Sequence, residues 1–195
     1  PLMLWDTMRK EFITNRNSLP YVNKHPNFFC SNDSNMIWIH YNNEIHVYDI
    51  IHDCIYYVFD SKTENIVNRT SEDNLQFLSL SCFRQVGDYL VAASYQEKKV
   101  FIYFLLKKEV KVSTDSKEFV SSRPMGEDER GKFKSIFIIR CHQIASYSLD
   151  GHITSIDAVI KGNDLFFACG SESYENSLCI AKSTISQIEI EKIIS

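Results

Sequence analysis

The stretch GHITSIDAVIKGNDLFFACGS occupies residues 151–171 and contains two apolar runs with a polar turn between them. The first run covers residues 153–159, and the second, DLFFACGS, begins at residue 164. The turn, residues 161–164, reads Lys-Gly-Asn-Asp, and tight turns favour Gly, Asn and Asp. Short apolar runs that are joined by such a turn indicate a β-hairpin. This stretch therefore predicts two antiparallel strands.

The same arrangement recurs along the chain. Residues 35–40 are followed across a short polar turn by residues 44–49, and residues 89–94 are followed in the same way by residues 99–104. The closing runs of these units begin at residues 2, 44, 99, 143 and 177. Successive starts are about 40 to 55 residues apart, except for a shorter last step, and repeats of about this length are typical of propeller blades.

Composition also favours strands over helices. The 195 residues include 13 Phe and 10 Tyr, and aromatic residues are common in sheets. We expect no helix longer than one turn, with residues 8–13 and 127–133 as the candidates.

Two polar segments, residues 61–74 and 113–132, are predicted loops. The second contains Pro and Gly among charged residues, and we expect it to be exposed, either as a binding loop or as a plain insertion.

Several short motifs resemble those of the WD40-repeat family. That family places a Gly-His pair before an apolar strand and a Trp-Asp pair at the end of the closing strand. Gly151 and His152 match the first motif, and Trp5 and Asp6 match the second. A variant of the closing pair ends at Asp49.

The resemblance implies an all-β fold, a WD40-like β-propeller with about four blades of antiparallel strands. It covers residues 1–195 as a single partial propeller region, and because the chain begins with Pro we expect a fragment of a larger ring. In the family, the Gly-His histidine joins a hydrogen-bond network within the blade, and the Trp packs between neighbouring blades. We therefore expect structural roles for Trp5, Asp6, Asp49, Gly151 and His152.

A more particular likeness involves the order of residues 119–124, 146–149 and 151–154. This order is similar to that in the non-catalytic WD-repeat subunits of the tRNA guanine-N7 methyltransferase. In those subunits a motif with basic and acidic residues follows the Gly-His unit and contacts the catalytic subunit. Here the corresponding residues 172–176 contain no Arg or Lys. The likeness implies a non-catalytic subunit that positions RNA in a tRNA-modifying complex.

The charge balance gives no general signal for nucleic acid. The net charge is -4, from 21 basic and 25 acidic residues. The candidates for a local nucleic-acid contact are Lys98, Lys99, Lys107 and Lys108, which alternate with aromatic residues that could stack on bases. The alternative is that these lysines lie at strand edges, where positive charge discourages aggregation.

The six cysteines lie far apart in the sequence and form no CxxC pair. This pattern favours reduced, buried thiols, and therefore an intracellular protein of the nucleus or the cytoplasm. No run approaches 18 apolar residues, so we expect no membrane contact.

Known catalytic patterns are absent from the sequence. It has no G-x-S-x-G motif and no phosphate-binding glycine loop. His40, His46 and His52 recur every six residues, but a zinc site needs converging ligands, and satisfied histidines are favoured. We therefore expect no enzyme, no cofactor and no metal. The predicted function is a non-catalytic scaffold for protein–protein interaction in a multi-subunit complex; the alternative is the RNA-positioning subunit.

Overall fold

The computed structural model describes residues 4–6, 10–13, 27–30, 36–41, 44–51, 54–60, 80–113, 133–173, 175, 177–185, 190 and 193. Over these residues the fold is all-β, as predicted, apart from Ile190 and Ile193, which are helical. The strands described are β1 (Leu4–Asp6), β2 (Glu11–Ile13), β3 (Asn27–Cys30), β4 (Met36–Tyr41), β5 (Glu44–Asp49), β6 (Cys54–Asp60), β7 (Leu80–Val86), β8 (Tyr89–Ser94), β9 (Lys99–Ser113), β10 (Phe133–Ser148), β11 (Ile153–Lys161), β12 (Asp164–Ser171) and β13 (Leu178–Thr184).

The predicted hairpins are confirmed. Strands β4 and β5, β8 and β9, and β11 and β12 pair antiparallel. The turn between β7 and β8 needs Gly87 at a φ of 56°, and the turn between β11 and β12 needs Gly162 at a φ of 63°. A residue with a Cβ adopts this left-handed region only at a cost, so glycine at both positions explains where the strands reverse.

The largest sheet has eight strands in the order β3-β4-β5-β6-β10-β9-β8-β7. Strands β3 to β6 and strands β7 to β10 are each antiparallel meanders, and β10 joins them by pairing parallel with β6. The closing runs that begin at residues 44, 99 and 143, which the sequence predicts as parts of three separate units, lie in β5, β9 and β10 and therefore belong to one sheet. The joining part of β10 includes Ile138 and Ile139, which point to opposite faces and are both buried. Apolar residues on both faces are typical of a parallel strand inside a sheet.

This sheet is strongly curled, since its two outermost strands, β3 and β7, contact each other. The curl encloses an inner core whose members come from β4 to β10. Trp38 on β4 packs edge-on against Phe83 on β7, with ring centroids 5.7 Å apart. The Trp38 Nε1 donates a hydrogen bond of 2.6 Å to the Oε1 of Gln85, which is also buried.

A second sheet, β11-β12-β13, packs on the outer surface of the first. Its Leu165, Phe167 and Cys169 contact Val91 and Ile102 in an outer core. Neighbouring residues on β8 and β9 thus serve different cores, because successive side chains of a strand point to opposite faces. Both faces of residues 90–94 in β8 and 100–105 in β9 are buried as a result.

One prediction from the sequence is wrong, and others concern residues that the structure does not describe. Of residues 8–13, predicted as a helical turn, Glu11–Ile13 forms β2, which pairs with β1. Ser113 ends β9, whereas residues 114–132 and the predicted loop at 61–74 are outside the described residues. None of the helical residues described belongs to a helix that is long and apolar enough to cross a membrane.

Candidate functional site

Tyr95, His152 and Glu172 meet at one end of the second sheet. Tyr95 lies in the turn between β8 and β9, His152 directly precedes β11, and Glu172 directly follows β12. The rings of Tyr95 and His152 are stacked, with centroids 4.5 Å apart and planes at 16°. The Tyr95 hydroxyl donates a hydrogen bond of 2.7 Å to Glu172. That bond, more than burial or the carboxylate charge, raises the pKa of Tyr95.

Backbone hydrogen bonds join the same three segments, and we call this meeting point of the β8–β9 turn, the start of β11 and the end of β12 the junction. The His152 Nδ1 donates to the carbonyl oxygen of Tyr95 at 2.7 Å, and the Glu172 amide donates to the carbonyl of His152 at 2.9 Å. The Leu149 amide donates to the carbonyl of Lys98 at 2.8 Å. The cluster therefore ties the second sheet to the β8–β9 turn, and the described partner of His152 is a backbone carbonyl of that turn.

Gly151 is buried beside this cluster. A Cβ at Gly151 would stand 2.8 Å from the amide nitrogen of Ser173 and 2.9 Å from its Cβ. Contacts this short are not tolerated between real atoms, so only glycine lets the segment after β12 approach the start of β11.

The other motif residues lie apart from this junction in the sequence and in the sheets. Asp49 ends β5, is buried, and its Oδ1 accepts a hydrogen bond of 3.0 Å from the Ile51 amide, which shapes the turn before β6. Trp5 and Asp6 are on β1, opposite Phe12 and Glu11 on β2. Their side chains are outside the described part of the structure, so the packing role expected for Trp5 stays a prediction.

The four candidate lysines form two pairs. Lys98 and Lys99 lie at the β8–β9 turn, where Lys99 is 4.0 Å from Glu97. Lys107 and Lys108 are exposed farther along β9, opposite Ile139 and Ile138 of β10. At about 3.3 Å per residue, the two pairs are roughly 26 Å apart. A nucleic-acid contact at these residues stays a prediction.

An apolar surface occurs on the outer face of the second sheet, the face that does not contact β7 to β10. Three large side chains on it are exposed: Val159 at 56%, Leu178 at 64% and Ile180 at 71%. The register places Val159 beside Phe166, and Ile180 beside Ala168, on the same face. We call Val159, Leu178 and Ile180, with Phe166 and Ala168 between them, the outer apolar face.

Ion pairs border this surface. The Lys182 Nζ is 3.0 Å from the Oδ2 of Asp164, which lowers the pKa of Asp164 through that hydrogen bond. The Arg84 Nε is 3.0 Å from the Oδ1 of Asp157. Val159 and residues 177–181 are predicted strand residues, but their exposure cannot be read from the sequence, because which face of an apolar strand is covered depends on the neighbouring sheet.

Three cysteines face the outer core or its margin. Cys169 on β12 is fully buried, and Cys179 stands directly opposite it on β13. Burial, with smaller contributions from the charges of Cys179 and Cys82, raises the pKa of Cys169 to about 12. Burial also raises the pKa of Cys82. Of the five cysteines whose burial is described, Cys54, Cys141 and Cys169 are buried as expected, whereas Cys82 and Cys179 are half-buried.

A cleft of about 330 Å³ opens next to these residues, between residues 148–151 and the start of β13. Its lining includes Asp150, Ser171, Cys179 and Ile180. Among the described residues, no cluster of His, Cys, Asp or Glu could hold a metal ion.

Comparison with protein-family models, with curated protein sequences and with solved structures finds no match to this chain.

Proposed function

We propose that this chain is a non-catalytic scaffold that binds a protein partner through the outer apolar face. The observation that supports this most directly is the exposure of Val159, Leu178 and Ile180 on one face of a sheet whose other face is packed. A contiguous exposed apolar patch that is bordered by polar groups is a usual mark of a protein interface.

The way in which the sheets stack suggests which type of secondary structure the partner contributes to the contact. Strands β4 to β6 face β7 to β9 across the inner core, and β7 to β9 face the second sheet across the outer core. The outer apolar face is the next face in this stack of sheets, and its large apolar side chains are exposed. We propose that a further β-sheet with an apolar face covers it, as one propeller blade covers the next.

Burial of this face contributes part of the binding energy. Complete burial of a Leu, Ile or Val side chain contributes about 1.5–3 kcal/mol, so three partly exposed side chains supply several kcal/mol before the costs of association. Two charged side chains at the border, Lys182 and Arg84, are already in ion pairs.

Ile180→Asp tests the proposal, because it places a charge at the most exposed side chain of the outer apolar face. Ile51→Asp is the matched control: Ile51 is 65% exposed but lies in the β5–β6 turn. Proteins retained from the native source by the wild type are to be identified by mass spectrometry, produced alone, and titrated against all three forms. We expect equal affinity for the wild type and Ile51→Asp, and at least tenfold weaker binding to Ile180→Asp.

Footprinting of the complex gives the second measurement. Partner binding should protect Leu178 and Ile180 from hydroxyl-radical oxidation, while Ile51 stays reactive. Equal binding by all three forms would contradict the proposal. So would RNA binding that is lost on substitution of Lys98 and Lys99 and unaffected by Ile180→Asp, since that result favours the RNA-positioning alternative.

A further inference from the structure

Two cysteines that are ten residues apart in sequence are brought face to face by β12 and β13. Cys169 and Cys179 are direct partners in an antiparallel register that runs without a shift from Asp164 to Gly170. Direct antiparallel partners point to the same face, with Cα atoms about 4.5 or 5.5 Å apart. Disulfides require Cα separations of about 4.4–6.8 Å, so this register satisfies the requirement without movement of the backbone.

Access to the two thiols is unequal. Cys179 is half-buried and lines the cleft beside residues 148–151. Cys169, on β12, is completely buried in the outer core. A small polar oxidant that enters the cleft therefore meets Cys179 first, and Cys169 is positioned to react only with a group formed on Cys179.

We infer that Cys179 and Cys169 form a hydroperoxide-reactive pair that closes a reversible disulfide across β12 and β13. In the first step the Cys179 thiolate attacks a hydroperoxide, the O–O bond breaks, and Cys179 becomes a sulfenic acid while the peroxide leaves as water or an alcohol after protonation. In the second step the Cys169 sulfur attacks the sulfenic sulfur and loses its proton, and hydroxide leaves as water. Two electrons pass from the two thiols to one hydroperoxide.

Cys82 offers the competing partner. It lies on β7 in the other sheet, packs at the margin of the outer core, and is close enough for its charge to affect Cys169. A Cys82–Cys169 bond would cross from sheet to sheet, whereas a Cys169–Cys179 bond stays between paired strands. Because β12 and β13 already hold their partners in register, the bond within the sheet is the one that the geometry favours.

Peptide mapping distinguishes these bonds. The folded, reduced protein in a Cys30→Ser background is treated with one equivalent of hydrogen peroxide, blocked with a thiol reagent, and digested with a protease that cleaves after glutamate. Glu172 and Glu175 lie between the two cysteines, so a disulfide joins two separate peptides. A second digestion with trypsin, which cleaves after Lys161, separates Cys169 from Cys141. We expect the Cys169–Cys179 peptide pair to predominate at least fivefold over any other linkage, and to be lost on reduction.

Variants provide the controls. Cys179→Ser should abolish the linkage, and Cys82→Ser should leave it unchanged, with thermal unfolding used to verify that each variant folds. Cys54 and Cys141, which are buried in other parts of the structure, should remain reduced. Predominance of a Cys82–Cys169 bond, conversion of Cys179 to sulfinic acid without a linkage, or no reaction of Cys179 would each overturn the inference.

Discussion

Gly151 shows how one atom limits the choice of residue at the junction of the second sheet. Its backbone is not in the left-handed region, so the requirement for glycine is steric: the amide of Ser173 occupies the space of a Cβ. Gly170 is different, because a Cβ there would meet the Oγ of Ser155 at 2.5 Å, and a serine hydroxyl can rotate away.

We predict that Gly151→Ala destabilises the protein by about 1–3 kcal/mol, the usual range for forcing an extra carbon into a packed site. Gly170→Ala should cost less than about 1 kcal/mol, because a side-chain rotation relieves the contact. Urea unfolding of the two variants beside the wild type measures both values. A larger loss for Gly170→Ala than for Gly151→Ala would contradict this account of the junction.

At the residue scale, sequence reasoning identified half of this junction. The Gly-His pair marks Gly151 and His152, because both letters are adjacent and follow a family pattern. Tyr95 is 57 positions away from His152, and nothing in the sequence around it indicates that its ring stacks on an imidazole. Such a contact depends on how the β8–β9 turn lies against the second sheet, and local sequence does not determine that.

Side chains of β4 and β7 meet across the inner core of the curled sheet. Gln85 is a buried polar residue on β7, and it uses both ends of its amide: the oxygen accepts from Trp38, and the nitrogen donates to the carbonyl of Gly87 at 3.0 Å. Since these two strands are not paired with each other, this side-chain bond is one of the directional links between them.

We predict that Gln85→Leu destabilises the protein by about 1–3 kcal/mol, because it leaves the indole N–H of Trp38 buried without its acceptor. Trp38→Phe in the same background removes that orphaned donor. The double variant should therefore be less destabilised than the sum of the two single variants, by at least about 0.5 kcal/mol. Strict additivity in a denaturant-based double-mutant cycle would count against a coupled pair.

At the scale of the strands, the hairpins were predictable and the pairing between hairpins was not. Each hairpin leaves a local signal, such as Gly162 in a polar turn between apolar runs. The parallel pairing of β6 with β10 joins residues about 80 positions apart, from Tyr56 opposite Phe137 onward. No turn encodes it, and the apolar residues on both faces of β10 are equally compatible with several neighbours.

At the scale of the molecule, two cores share the same strands. Leu90 and Ala92 on β8 belong to the inner core, while Val91 and Ala93 between them belong to the outer core. Strand β9 is divided in the same way, as Phe101 and Ile102 show. Neither core can lose its packing without disturbing the strands that support the other.

We predict that Phe167→Ala, which empties a site in the outer core, lowers stability by roughly 3–5 kcal/mol and leaves a single unfolding transition. In a Trp5→Phe background, Trp38 is the remaining tryptophan, so the fluorescence reports on the inner core. This fluorescence and the far-ultraviolet circular dichroism should therefore change at the same temperature. Separate transitions for the two signals would show that the cores unfold independently.

The double burial of β9 has a consequence for the chain before it folds. Residues 100–106 read VFIYFLL, seven apolar letters without a charge, and such a segment stacks readily with copies of itself while it is still uncovered. Lys98 and Lys99 stand immediately before it, and Lys107 and Lys108 immediately after it. Copies aligned in register would bring these like charges together at both ends, so the lysines act as gatekeepers during synthesis, whatever they contact in the finished protein.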